Sequence, residues 1–269
     1  MTLKEASELL AASGIESARD EARRIFAKIG GIPQYDLLSP QVSTDNAEVI
    51  SAVKRRALRE PLQYILGEVD FYRESYKVTP DCLIPRSDTE ILVDTAIKNL
   101  PDGARFLDLC TGSGCIALSV LNNTRSTSAT AVDISPRALS VAKENAERLG
   151  LSNRIEFKEA DVTKKRAEGE FFAVLSNPPY VSEGAYKGLE AEIYFEPMEA
   201  FVGGEDGGDF YRAITPMYKD AILCGGFIAY EIGYDQAELL ENIAEENGMS
   251  CEIIHDLSGN PRVALLRTM

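Results

Sequence analysis

The sequence predicts an α/β protein, a doubly wound and mostly parallel sheet preceded by a small helical domain. Three observations lead there. From residue 105 onward, short apolar runs alternate with amphipathic stretches of helical period. A glycine-rich turn, Gly112-Ser113-Gly114, follows the first of those runs. The first seventy residues carry helical periodicity instead.

In chain order, Ala18, Ala22, Ile25, Phe26 and Ile29 fall on one face of a helix that Gly30-Gly31 stops. A second helix opens at Asp45 with Glu48 three residues on. It carries Ala47, Ile50, Val53, Ala57 and Leu58 on one side and ends at Pro61. Its Lys54-Arg55-Arg56 cluster reads as a solvated face, with a substrate-docking patch as the sharper alternative. From Gly67 to Val78, aromatic and polar residues alternate through Phe71, Tyr72, Tyr76 and Val78, as in a short hairpin. Ser87-Asp88-Thr89-Glu90 then reads as a capping box that opens the next helix, with Glu90 as the capping carboxylate. Strands are expected at 105–109, 130–132, 155–158, 171–176, 226–232, 251–254 and 263–267. Pro136 opens the helix that Gly150 ends. The resulting division is a helical domain over 1–66, a hairpin linker over 67–84 and a sheet domain over 85–269.

Composition narrows the function. The chain has 269 residues, 45% of them hydrophobic, enough for a large domain and a small one. A net charge of −15 argues against a general nucleic-acid binder, which needs a basic face. The five cysteines form no C-x-x-C pair and there is one histidine, His255, so no metal site is expected. The odd cysteine count and the absence of a signal-like start point to a reducing cytoplasm. No apolar run approaches the length of a membrane span. A lone histidine near the carboxyl end leaves little for a Ser-His-Asp or Cys-His mechanism.

The glycine turn lies in Asp108-Leu109-Cys110-Thr111-Gly112-Ser113-Gly114, between the first strand and its helix. Gly112-x-Gly114-x-x-Ala117 satisfies a dinucleotide fingerprint, a weak signal alone. The second strand ends in Asp133, where a carboxylate can hold ribose hydroxyls, and Asp161-Val162 after the third could read an adenine ring. A nicotinamide dinucleotide and S-adenosylmethionine both fit this geometry. Asp108 beside the turn suits the cationic second ligand better than a pyrophosphate. Each carboxylate alone is equally a helix cap or a surface charge. Three of them at successive strand ends, in register with the glycine loop, indicate a Rossmann-like S-adenosylmethionine-dependent methyltransferase sheet.

Asn177-Pro178-Pro179-Tyr180 follows the apolar run Phe171–Leu175 and Ser176. It therefore sits at the carboxyl end of a strand, where open α/β sheets bind ligands. The prolines stiffen the turn and remove two donors, and Asn177 is pushed toward an extended conformation. An amide oxygen beside a proline carbonyl can accept both hydrogens of a substrate –NH₂. An ordinary turn is the plain alternative, since Asn-Pro often starts one.

With these motifs in place, the chain resembles the HemK/PrmC-type family, the peptide chain release factor N5-glutamine methyltransferases. The likeness runs nearly the full length. It rests most on Pro61-Leu62-Gln63-Tyr64-Ile65-Leu66-Gly67, Leu83-Ile84-Pro85-Arg86 through Glu90, Ser176 through Tyr180, Phe195-Glu196-Pro197 and Gly259-Asn260-Pro261-Arg262. One residue departs from the pattern: Cys110 stands where the family's loop has its first glycine, a substitution accommodated if φ there is negative. A small buried filler is the expected role for this cysteine, a reactive thiol the livelier one.

The resemblance implies methyl transfer from S-adenosylmethionine, leaving S-adenosylhomocysteine, to the side-chain nitrogen of the glutamine in a Gly-Gly-Gln loop of release factors. It implies that Asn177 and Pro178 accept the substrate N–H bonds and that Tyr180 packs on the amide plane, Pro179 completing the substrate contact. The donor would be held by Asp108, Cys110, Thr111, Gly112, Ser113, Gly114, Asp133, Asp161 and Val162, with Asn177 at the junction. Arg86 is the candidate for a further substrate contact and Glu196 for ordering the loop after Tyr180, with a mutual ion pair as the alternative. Direct nucleic-acid or membrane partners are not expected. The rivals are a nucleic-acid base methyltransferase, a nicotinamide-dependent dehydrogenase, a ribosomal-protein glutamine methyltransferase and an inactive cofactor-binding adaptor.

Overall fold

The computed structural model describes residues 1–268. The chain divides into two compact units, Met1–Val69 with Glu190–Phe195, and Asp70–Leu189 with Glu196–Met269.

The first unit contains α1 (Leu3–Ala12), α2 (Ala18–Lys28), α3 (Ala47–Ala57) and the short α4 (Leu62–Leu66). Thr2 and Glu5 form a capping box on α1, and the expected face of α2 is buried through Ala18, Ala22, Ile25 and Phe26. The face of α3 is not the expected one. Its cap is Asn46, which accepts from the Glu48 amide at 2.8 Å, and the residues turned inward are Val49, Ala52, Val53 and Arg56. Leu58, expected inside, is exposed. Arg56 is 7% exposed rather than part of a solvated face, because its guanidinium pairs with Glu21 and, at 3.2 Å, with Glu192. Arg59 reaches the same Glu192 at 2.8 Å, which ties residues 190–195 into this unit. Nothing in the sequence periodicity announces these pairings.

The boundary between the units falls inside β1 (Glu68–Phe71), whose hairpin partner is β2 (Glu74–Lys77). The second unit then runs through α5 (Glu90–Asn99), β3 (Arg105–Leu109), α6 (Cys115–Asn122), β4 (Ser128–Asp133), α7 (Pro136–Arg148) and β5 (Ile155–Glu159). It continues with β6 (Phe171–Ser176), α8 (Glu183–Tyr186), α9 (Asp209–Tyr218), β7 (Ile222–Glu231), α10 (Ala237–Glu246), β8 (Met249–His255) and β9 (Pro261–Thr268). The sheet order is β5-β4-β3-β6-β7-β9-β8, parallel except for β9, which runs antiparallel to both its neighbours. Tyr211 and Ile214 of α9 and Leu240 and Ile243 of α10 join Leu107, Leu109, Val174 and Ile228 in one apolar core. Because side chains alternate along a strand, Phe106 and Asp108 face the other side, toward α6. Among the described residues no helix is long and apolar enough to cross a membrane.

The start of α5 departs from the expected capping box. Ser87–Thr89 form a 3₁₀ turn, and Thr89 has helical dihedrals with its side chain free of capping. Glu90 instead accepts from the Tyr72 amide at 2.8 Å, fastening the hairpin tip. The buried Glu74, first in β2 after the turn, holds the same end, accepting from Ser119, Asn122 and Asn123 of the α6 region.

The chain reverses its direction of travel across the sheet between β3 and β6. A crevice opens at such a reversal, at the carboxyl ends of the strands. Leu109 and Ser176 are register partners there, and the Ser176 hydroxyl donates to the Leu109 carbonyl at 2.7 Å. The glycine loop leaves one strand and Asn177 the other. Cys110, the first residue past β3, has φ of +61°, so the expected negative φ is not what the fold uses. An L-residue in this left-handed region is disfavoured by about 1–2 kcal/mol. Cys110→Gly therefore keeps or raises the melting temperature, while Cys110→Ala, which loses the thiol packing and keeps the strain, is the less stable of the two. A thermal melt in which alanine outperforms glycine shows that the loop is not strained.

Candidate active site

A cavity of about 310 Å³ occupies the crevice. Its wall includes Cys110 and Gly112 from the glycine loop, Asp133 at the end of β4 with Ile134 and Ser135 following, and Asp161 and Val162 after β5. Asn177 and Pro179 close it from the β6 side, with Glu199, Val202 and Phe210 beyond. Four carboxylates, Asp81, Asp133, Asp161 and Glu199, are on the wall, and no lysine or arginine among the described residues joins them. Such a lining favours a cationic ligand and disfavours a pyrophosphate.

Asp133 is held in place by backbone. The Gly112 amide donates to its Oδ2 at 2.8 Å and the Ser135 amide to its Oδ1 at 2.9 Å. Each oxygen retains lone-pair capacity for a hydroxyl donor. Burial raises its pKa, and the amides of Ser135, Gly112 and Ile134 oppose that. Asp161 is lowered instead, by the Lys164 side chain at 2.7 Å and then by Thr163. This leaves a fixed acidic pair at the two strand ends.

Not every residue expected to face a donor does so. Asp108 is fully buried beneath the loop, its Oδ2 accepting from the Thr111 hydroxyl at 2.5 Å and the Ala117 amide at 3.2 Å. Its Oδ1 has no hydrogen-bond partner, and burial pushes its pKa up to about 7. Asp108 thus shapes the loop and is absent from the wall, as are Thr111, Ser113 and Gly114. Asn145 braces the loop from α7, donating to the carbonyls of Ser113 and Lys77. Cys110 is on the wall, and burial holds its thiol far above the ordinary range, which makes it a protonated filler.

Arg86 and Glu196 form an ion pair with each other. Glu196 also accepts from the Ile84 amide at 2.9 Å, and Arg86 donates to the Ile84 carbonyl at 3.0 Å. Both carboxylate oxygens are committed to this knot. Glu196 thus clasps two loops together, and the mutual ion pair, the alternative to a substrate contact by Arg86, is the arrangement in the fold. Removing the carboxylate from water would otherwise be costly.

The tetrapeptide is supported by residues to which the sequence reading does not point. Asn177 Nδ2 donates to Thr89 Oγ1 at 3.3 Å, and the Tyr180 hydroxyl donates to Glu231 Oε1 at 3.2 Å. Gln236 donates to the Tyr180 carbonyl at 3.0 Å. A returning segment presses on the same backbone: a Cβ at Gly203 would sit 2.3 Å from the Pro179 oxygen, and one at Gly207 2.1 Å from the Tyr180 oxygen. Only glycine fits there. The doubled glycines of 203–204 and 207–208, and a glutamate closing the apolar run of β7, were the signals available.

Comparison with known proteins gives the family of the chain. Residues 2–67 match the PrmC N-terminal domain family and residues 87–196 the methyltransferase small domain. The chain is 38% identical over 256 residues to a release factor glutamine methyltransferase of Thermodesulfovibrio yellowstonii, covering 92% of this chain and 91% of that one. A protein of the same name from Geobacter sulfurreducens is 36% identical over 260 residues, 94% of this chain and 91% of its own. A methyltransferase structure from Pyrococcus furiosus shares the fold, with a TM-score of 0.53 at 21% identity over 71% of this chain and 86% of that one. With its helical amino-terminal unit, its seven-stranded sheet and its full-length relatives, the chain belongs to the release factor glutamine methyltransferases.

Proposed function

We infer that the protein transfers a methyl group from S-adenosylmethionine to the side-chain amide nitrogen of a glutamine in a peptide chain release factor. The acceptor would be the glutamine of a Gly-Gly-Gln loop. One observation carries the reading: Asn177 and Pro179 line the same acidic, base-free cavity as Asp133. A nitrogen held by the tetrapeptide would then face a donor held by the carboxylates. S-adenosylmethionine, when bound, supplies an electrophilic methyl group on a sulfonium.

The remaining chemistry belongs to the chain. An amide lone pair is delocalised into its carbonyl and attacks poorly. Asn177 Oδ1 and the Pro178 carbonyl accept the two N–H bonds, which orients the nitrogen and favours its pyramidal form. Tyr180 packs against the amide plane. Its phenol stays neutral, since burial and then the Glu231 carboxyl raise its pKa. No base has to activate the nitrogen, because its proton can leave after transfer. Catalysis rests on positioning and on directed hydrogen bonds, and the proton passes to solvent after transfer. Asp133 accepts the ribose hydroxyls, and Asp161 with Val162 frames the adenine. The net charge of −15 supports a protein acceptor over a nucleic acid, and the activity belongs beside translation in the cytoplasm.

Asp133→Ala weakens donor binding by about 1.5–3 kcal/mol, the worth of hydrogen bonds to a charged acceptor, as read by calorimetry. An unchanged dissociation constant refutes this placement of the ribose. Asn177→Ala lowers methyl transfer to a purified release factor by about 10²–10³-fold while donor affinity changes little. Label from radioactive S-adenosylmethionine should map to one glutamine by mass spectrometry. Wild-type turnover in Asn177→Ala, or label on another residue type, rejects the reading.

A further inference from the structure

The side chain of Glu231 ends β7 beneath the tetrapeptide and is 2% exposed. Its Oε1 accepts from the Tyr180 hydroxyl and its Oε2 is buried without a hydrogen-bond partner, while the Thr89 hydroxyl is near enough to lower the pKa of the carboxyl, short of a hydrogen bond to that free oxygen. Thr89 is itself 2% exposed and accepts from Asn177 Nδ2 at 3.3 Å. The backbone of Glu231 is fixed, since Tyr211 donates to its carbonyl at 2.9 Å and β9 pairs alongside. An acidic side chain this deep, at the end of an apolar strand, is not needed for packing.

The free oxygen of this carboxylate, an acceptor beside a hydroxyl, has a chemical consequence. An ionised carboxylate only accepts, so a hydroxyl facing it gives its proton to it. The hydroxyl's lone pairs are then what remains for Asn177, and they require the NH₂ end of the amide. The oxygen of that planar amide is thereby turned the other way. A reversed amide would present two N–H bonds to a substrate that itself offers N–H bonds.

We propose that Glu231 is a positioning residue which, through the Thr89 hydroxyl, sets the Asn177 amide with Oδ1 toward the substrate nitrogen. The proposal rests on the acceptor role given above to Asn177. Tyr180, donating to the same carboxylate, is set by the same group, so one buried charge orients both side chains of the tetrapeptide.

Protonation should undo the arrangement, because a neutral carboxyl can donate to Thr89 and release its proton toward Asn177 Oδ1. Burial pushes Glu231 up to about 7. The groups facing it are Tyr180, Asp88 from the turn before α5, Arg262 from β9, Tyr211 from α9 and, further off, Cys115 of α6. Burial raises the pKa of Tyr180, Tyr211 and Cys115, which stay neutral around pH 7. Arg262 contacts Asp88 at 3.1 Å and Asp256 at 3.2 Å. The carboxylate form is present above the raised pKa and is lost as pH falls through it, so turnover falls on the acid side.

The test uses the full chain with a purified release factor, measuring kcat, KM and donor affinity from pH 6 to 8.5. Glu231→Gln and Thr89→Val each lower kcat at pH 8 by about 10- to 100-fold, less than removal of Asn177, with KM and donor affinity nearly unchanged. Thr89→Ser, which keeps the hydroxyl, recovers kcat to within about threefold of wild type. The acid-side fall in wild-type kcat disappears in Glu231→Gln. Full activity in Glu231→Gln alongside a dead Asn177→Ala overturns the relay alone. So does a Thr89→Ser as impaired as Thr89→Val. Wild-type turnover in Asn177→Ala removes the acceptor role itself, and the relay with it.

Discussion

The hydrogen bond from the Ser176 hydroxyl to the Leu109 carbonyl, 2.7 Å long, fixes the relation on which the site depends. It joins the last residues of β3 and β6, the two strands between which the chain reverses direction. Two of the segments that form the cavity leave the sheet within a few residues of it. The glycine loop departs on one side, the tetrapeptide on the other, and Asp133 reaches across from β4 to hold Gly112 by its amide. A slip of one residue in this pairing would send Asn177 to the opposite face of the sheet. Register here is a condition for chemistry as well as for packing.

The site follows a consistent division of labour. Groups at the cavity surface are left with spare hydrogen-bonding capacity, and groups one layer deeper are saturated or nearly so. Asp133 accepts two backbone amides and can still accept more. Glu196 beneath is consumed by Ile84 and Arg86. Asp108 and Glu231 are the exceptions, each with one buried oxygen left without a partner. Both have pKa values raised to about 7 by burial, so both hold a proton more tightly in the fold than an ordinary carboxylate does. The stability they contribute is present below the ordinary carboxylate range and is lost as pH rises through about 7. The fold thus keeps two buried carboxyl groups at some expense in stability near neutral pH.

Much of this was legible in the sequence. The central strands were marked by apolar runs, and their ends by Asp133, Asp161 and Asn177, because a polar residue closing such a run has to lie at the sheet's edge. The helical unit was legible from periodicity at α2. It was misread by one residue at α3, where Asn46 rather than Asp45 caps the helix and Arg56 is drawn inside by Glu21 and Glu192. That error has a plain origin, since the partners are far apart in sequence and periodicity sees only neighbours. The same limit hid Thr89. Its local context, Ser87-Asp88-Thr89-Glu90, looked like a cap, while its hydroxyl answers to Asn177, 88 positions along the chain. Gly203 and Gly207 were marked only by being doubled, because a glycine required by close approach looks like any loop glycine until the other strand of the contact is known.

The residue that breaks the loop pattern, Cys110, bears on how the protein survives its own reagent. A sulfonium donor alkylates sulfur nucleophiles readily, and the wall of the cavity includes a sulfur. The thiol is poor at this reaction and the thiolate is good at it. Burial and the neighbouring carboxylates Asp133 and Asp108 hold Cys110 as the thiol. Burial first, and the carboxylates around it second, therefore keep the one sulfur nearest the glycine loop in its less nucleophilic form.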